Sequence, residues 1–231
     1  MNYKVSNGIY NLDFKLSGLE KKIQDEYCEL LEEKGFNYLS IPSTIRYETF
    51  LKQEAQPPEK TLLVDDRNHK HGHCLSGSAE TGILEYFENN RVEPMFIYAK
   101  NSCFRYEKEY IDLIRTKEFT KIEQYCFCEE KDWKEKFHFL LDNATSFLEK
   151  HDIQYRVIDV TDQDEGYHKQ KFDVQIWSVE HGWIESHSCT YFGNEQTKRF
   201  NITGATHTIS NTGIASPRIL IPFIEKAKVT V

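Results

Sequence analysis

FRYEKEYIDLIRTKEFTKIE, running from Phe104 to Glu123, is the stretch around which the remaining sequence falls into place. Its pattern is Phe-Arg-x-Glu, a polar reversal from Lys108 to Ile114, then Arg115, Phe119, Lys121 and Glu123 in a run that continues as QYCFC. Phe119, Lys121 and Glu123 share one parity, so an extended strand turns an aromatic ring, a cation and a carboxylate to one face. Arg105 and Glu107 share a face of the incoming strand in the same way. Two antiparallel strands carrying two arginines, two carboxylates and a ring suit a nucleotide and an amine. The alternative is an amphipathic hairpin whose charged face is simply solvated.

This segment resembles motif 2 of the class II aminoacyl-tRNA synthetases, and the FRxE…IRxxxFxKxE spacing is most similar to the seryl branch. The resemblance implies a role for each position. Arg105 would hold the α-phosphate of ATP and the amino acid carboxylate, Glu107 the adenine amino group, and Arg115 the terminal phosphates. Phe119 would stack on adenine, and Glu123 would take the substrate ammonium group.

The C-terminal stretch HTISNTGIASPRILIPFIEKAK resembles motif 3, a strand leading through a small-residue turn into a helix whose first turn carries an arginine. Pro217 is well placed to start that helix. Arg218 would then lie on adenine and reach the γ-phosphate, which the planar guanidinium can do and lysine cannot. Thr212 matches a small hydroxyl residue near the substrate side chain. Ser210 stands where the seryl enzymes typically have asparagine, which leaves the amino acid open.

Upstream, Leu19, Ile23, Tyr27, Leu30 and Leu31 recur at helical spacing before Gly35 and predict a helix from Ser17 to Lys34. FNYLSIPS follows as a strand that must lie at an edge or end at Pro42, because proline cannot donate to a ladder. Helix, strand and proline match motif 1, which implies a homodimer. Gln56 to His73 is a polar loop with one short strand at Thr61 to Val64. In the next helix the family's Thr-x-Glu element corresponds to Ser78-Ala79-Glu80, implying Ser78 and Glu80 at the amino acid. As a plain alternative, both are favoured residues for a first helical turn.

Trp133 to Lys150 has a helical apolar stripe, IQYRVIDV alternates as a strand, and a hairpin is expected around His181-Gly182. The second strand of that hairpin carries GWIESHSC, similar to a family segment whose Glu and Ser bind the magnesium that bridges the ATP phosphates. Those positions are Glu185 and Ser188, and one carboxylate with one hydroxyl suffices for a cation that keeps its waters. The expected fold is α+β, a mainly antiparallel sheet flanked by helices, in one domain spanning 1–231.

Formal charge is 29 minus 37, or −8, which leaves no basic footprint for nucleic acid over the whole surface. No apolar run reaches a membrane span and no signal peptide is visible, so a cytoplasmic protein is expected. The six cysteines lack paired CxxC elements, so disulfides and zinc fingers are poor readings, and HKHGHC is read as a loop rather than a metal site.

A seryl-tRNA synthetase would also have a long N-terminal arm and a longer reversal than Lys108 to Ile114. The expected function is therefore ATP- and Mg2+-dependent activation of a small amino acid, with serine favoured. The acceptor is expected to be a carrier protein, another thiol or a small molecule rather than a conventionally held tRNA. A truncated synthetase charging tRNA with a partner, and a non-catalytic regulator binding ATP or amino acid, are the alternatives.

Overall fold

A computed structural model describes residues 2–54, 58–64, 72–163 and 166–229. A hairpin of β1 (Tyr3–Ser6) and β2 (Ile9–Leu12) leads into helix α1 (Phe14–Glu33). The helix begins three residues before its expected start because Asp13 caps it, accepting from Leu16 N–H at 2.9 Å. It ends as Gly35 predicts. Gly35 takes φ +83°, its N–H donates to Glu32 O, and Phe36 N–H returns to Leu31 O, so the last carbonyls are satisfied.

The middle of the chain follows as β3 (Asn37–Tyr38), β4 (Thr44–Arg46), α2 (Tyr47–Gln53), β5 (Leu62–Val64) and β6 (His73–Leu75). Next come α3 (Ala79–Phe87), β7 (Arg91–Val92), β8 (Met95–Phe104), β9 (Glu118–Cys128) and α4 (Trp133–Lys150). β10 (Tyr155–Asp159), β11 (Gln170–Ser178), β12 (Gly182–Gly193), α5 (Glu195–Arg199), β13 (Thr203–Gly204), β14 (His207–Ser216) and α6 (Ile221–Val229) complete it.

Seven strands form the central sheet in the order β10-β11-β12-β14-β9-β8-β3. Every pair is antiparallel except β3 with β8, which is parallel and sits at the edge. The FNYLSIPS strand is thus an edge strand but only two residues long, with Leu39 N–H adding one bond to Tyr98 O at 2.9 Å. α1 and α4 cover one face of the sheet, where Tyr27, Ile122, Phe137, Leu140 and Ile214 share one core. α3 covers part of the other face over a smaller cluster of Ile83, Tyr125, Phe127 and Phe200. The remainder of that second face is open, and the cleft lies there.

Two bulges decide which side chains face the cleft. On β12 the register against β11 shifts between His187 and Glu185, so Ser186 is an extra residue. Glu185 and Ser188 therefore share a face although they are an odd number of residues apart. On β14 the register against β9 slips by one between Thr212 and Ile214. Gly213 occupies the slip, and a Cβ there would lie 2.2 Å from the ring of buried Tyr27.

α6 closes the far end. Glu225, on α6, accepts from Ser178 Oγ at 2.6 Å, Val179 N–H at 2.9 Å and Glu180 N–H at 3.3 Å, clamping the turn between β11 and β12. Replacing Glu225 with alanine strands those donors at a buried position. Denaturant unfolding should show a loss of about 2–3 kcal/mol.

Among the described residues no helix is long and apolar enough to cross a membrane. No group of three or more His, Cys, Asp or Glu is placed to hold a metal among them either. His69 and His71 of the HKHGHC stretch lie outside the described residues. All six cysteines are free.

Candidate active site

β9 supplies the floor of the site. Phe119, Lys121 and Glu123 face the cleft, while Ile122, Gln124 and Cys126 face α1 and α4. The alternation in the sequence is realised on the strand. Glu123 is almost fully buried, at 1% exposure, and pairs with Lys121 at 2.6 Å. This pairing gives Lys121 a part in the site that the sequence pattern leaves unassigned. Both carboxylate oxygens of Glu123 also have hydroxyl neighbours: Ser210 Oγ at 3.3 Å and Ser78 Oγ at 3.4 Å.

Arg105 and Glu107 come next, and here the structure departs from the sequence expectation. β8 ends at Phe104, so neither residue lies on a strand. The ladder continues only as far as Arg105 N–H donating to Lys117 O at 3.0 Å, and the isolated Ile111–Arg115 bridge closes the reversal. Both side chains nevertheless line the cleft. The Arg105 guanidinium lies 5.9 Å from the Phe119 ring centroid, and its Nε is buried without a hydrogen-bond partner among the described residues. Glu107 takes Lys60 Nζ at 3.5 Å.

Arg218 arrives from the opposite end of the chain. It stands in a 3-10 turn, Arg218–Leu220, that precedes α6, rather than in the helix itself. Its Nε donates to Ile114 O at 2.9 Å and its Nη1 to Glu185 O at 2.7 Å, joining the Lys108–Ile114 reversal to β12. Burial lowers its pKa, the nearby Arg105 and Arg115 lower it further, and Glu185 and Glu107 oppose the shift. Those four residues are thus its electrostatic neighbours.

The remaining walls come from β12, β14 and α3. Glu185, Ser186, Ser188 and Thr190 line the β12 side, and Ser210 and Thr212 the β14 side. Ser188 Oγ is buried with no hydrogen-bond partner among the described residues. His187 points to the opposite side of β12, where burial pushes it down to about 4 and keeps it neutral. Ser78 is the N-cap of α3, accepting from Glu80 N–H at 3.3 Å, so the capping role and a place at the cleft are both realised.

All twelve side chains singled out in the sequence (Ser78, Glu80, Arg105, Glu107, Arg115, Phe119, Glu123, Glu185, Ser188, Ser210, Thr212 and Arg218) line one cleft of about 600 Å³. Sequence reasoning misses Gln53 and Gln196, which bond Glu80 from behind, and Lys60, Tyr167 and Lys171 on the cleft wall.

The tRNA synthetase class II core domain (G, H, P, S and T) matches residues 62–221. The chain belongs to this family. A serine–tRNA ligase of Deinococcus radiodurans is 30% identical to it over 218 residues, covering 85% of this chain and 51% of that protein. One from Thermoplasma volcanium is 24% identical over 236 residues, covering 94% and 53%. This class II core therefore spans about half the length of the curated relatives it matches.

Solved structures share the fold at lower identity. The seryl-tRNA synthetase of Pyrococcus horikoshii complexed with ATP superposes with a TM-score of 0.84 at 21% identity, over 93% of this chain and 52% of that one. The prolyl-tRNA synthetase of Giardia lamblia in complex with prolyl-adenylate gives 0.83 at 13%, over 94% and 47%. A mainly antiparallel α+β core is thus common to all three.

Proposed function

We propose that the cleft activates a small amino acid, serine foremost, by ATP-dependent formation of an aminoacyl-adenylate and pyrophosphate. One observation carries this reading. In a chain of net charge −8, Arg105, Arg115 and Arg218 line one cleft, and none of them has a carboxylate partner within 4.0 Å among the described residues. Buried Glu123 lines the same cleft. Unpaired guanidinium groups beside a buried carboxylate suit a polyphosphate and an ammonium group.

The reaction is an in-line attack of the amino acid carboxylate on the α-phosphorus of ATP. It needs no general base, because the attacking carboxylate is ionised at neutral pH. What the residues supply is alignment and charge neutralisation. Arg105 neutralises charge on the α-phosphate, while Arg115 and Arg218 neutralise the leaving pyrophosphate. Phe119 and Glu107 hold the adenine, and Glu123 holds the substrate ammonium group. Ser78, Glu80, Ser210 and Thr212 contact the amino acid, Thr212 beside its side chain.

The donor set on β12 fits Mg2+: a carboxylate, and a buried hydroxyl without a partner, both hard oxygens. Glu185 and Ser188 would hold it, and bound there it would neutralise phosphate charge.

The test is amino-acid-dependent exchange of pyrophosphate into ATP across all twenty amino acids. Serine should give the fastest exchange, ahead of threonine, alanine and glycine. Binding of ATP and serine without exchange with any of the twenty would favour a regulatory protein instead.

For the acceptor, the serine–tRNA ligase relatives support tRNA. A carrier-protein thiol is supported only by the net charge and the short reversal. Transfer of labelled serine from the adenylate to each acceptor separates them. The position of the parallel β3 edge strand suits the homodimer expected of motif 1, and sedimentation at micromolar concentration measures it.

A further inference from the structure

Glu80 is held from behind by a relay that no local sequence pattern announces. Its Oε1 accepts from Gln53 Nε2 at the end of α2 and from Gln196 Nε2 on α5, the latter at 2.8 Å. Each glutamine is fixed in turn. Thr81 Oγ1 donates to Gln53 Oε1, while Tyr125 OH and Thr208 Oγ1 donate to Gln196 Oε1 at 2.6 and 2.7 Å. Tyr167 OH also donates to the Gln53 carbonyl at 2.8 Å, anchoring the end of α2. Gln53 and Gln196 are both fully buried and Glu80 is 6% exposed, so water does not compete for these bonds.

The orientation of the two amides matches an ionised Glu80. Turning either one over would set its carbonyl oxygen against the carboxylate, and only the N–H side can satisfy an ionised Glu80. The relay therefore stabilises the acceptor-only form of the side chain. Burial, first, and the neighbouring Glu123 nevertheless hold the Glu80 pKa above the ordinary carboxylate range, and Ser210, Lys121 and Gln53 limit that rise. Tyr125 and Tyr167 are the other titratable groups whose charge is coupled to Glu80.

We propose that Gln53 and Gln196 are positioning residues that fix Glu80 as a hydrogen-bond acceptor in the amino acid pocket, and so set a demand for a donor on the substrate side chain. The proposal rests on the adenylation reading. A pocket built this way disfavours an analogue lacking the hydroxyl, because the carboxylate held by the two amides then goes without the donor that the substrate would supply. Neither glutamine touches the ATP end of the cleft, so the effect falls on the amino acid.

Gln53→Met and Gln196→Met keep the volume and remove the donors. Each should raise KM for serine about tenfold, since one hydrogen bond to a charged group is lost. KM for ATP should stay within twofold, and the preference for serine over alanine should fall by a similar factor. Serine KM should also begin to rise at a higher pH on acidification than in the wild type. Unchanged serine KM and serine-to-alanine ratio in both variants would overturn the proposal.

A second measurement does not depend on turnover. The 13C-carboxyl NMR titration of Glu80 should move up by about one pH unit in each variant. An unchanged midpoint overturns the clamp even if the wild type proves inactive. Exchange by the wild type with no amino acid sinks the adenylation reading separately. If one variant does not fold, the other decides, because each glutamine supplies its own donor.

Discussion

Replacing Arg105 with alanine is expected to lower serine-dependent pyrophosphate exchange by about 10³-fold, or roughly 4 kcal/mol of transition-state stabilisation. In the proposed reaction negative charge is redistributed over the α-phosphate oxygens, and Arg105 is the group assigned to neutralise it. Its Nε has no partner among the described residues and Phe119 flanks it, so the side chain is oriented without being neutralised. Arg105→Lys keeps the charge and loses the fork, and should recover only a minor part of the rate.

Folding should not suffer. Removing a half-buried cation that pairs with no carboxylate relieves an electrostatic cost, so thermal unfolding of Arg105→Ala should occur at or above the wild-type temperature. Near-normal exchange in this variant would refute the assignment. A large drop in melting temperature would show that Arg105 is structural.

The largest effect on stability is expected at Gly213. A Cβ added there meets Tyr27 Cε1 at 2.2 Å, Cζ at 2.7 Å and the hydroxyl oxygen at 2.9 Å. Tyr27 has no room to yield. It is fully buried, its ring packs edge-on against Phe147 with centroids 5.2 Å apart, and its hydroxyl accepts from Gln124 Nε2 at 3.0 Å. Gly213→Ala should therefore cost about 3 kcal/mol and lower the melting temperature by about 10 °C.

A shift of that strand would also move Thr212, which follows Ser210 on the cleft face of β14. A rise in serine KM should accompany the loss of stability. Calorimetry and exchange kinetics on one preparation measure both.

Strand β9 is legible in the sequence because alternation is a local property: Phe119, Lys121 and Glu123 must share a face once the segment is extended. α1 and α4 are legible from their apolar spacing, and the end of α1 from Gly35. The start of α1 depends on Asp13, which the apolar pattern does not mark.

The bulges are not legible in this way. Simple alternation would put Glu185 and Ser188 on opposite faces, and only the extra Ser186 brings both to the cleft. Resemblance to a family places them together where periodicity cannot. Gln53 and Gln196 escape notice for a different reason. They lie on two short helices and meet only because α2 and α5 both abut Glu80, a juxtaposition set by tertiary packing. The Phe-Arg-x-Glu pattern predicts a strand through Arg105 and Glu107, but β8 stops at Phe104, the ladder adds one bond at Arg105, and Glu107 lines the cleft from beyond it.

The measurement that reaches the central claim most directly is a crystal structure of this chain with ATP and serine. The triphosphate should lie between the side chains of Arg105 and Arg218, with the serine ammonium group on Glu123 and its hydroxyl towards Glu80. A nucleotide bound elsewhere, or bound in the cleft with either arginine turned away from the phosphates, would contradict the account.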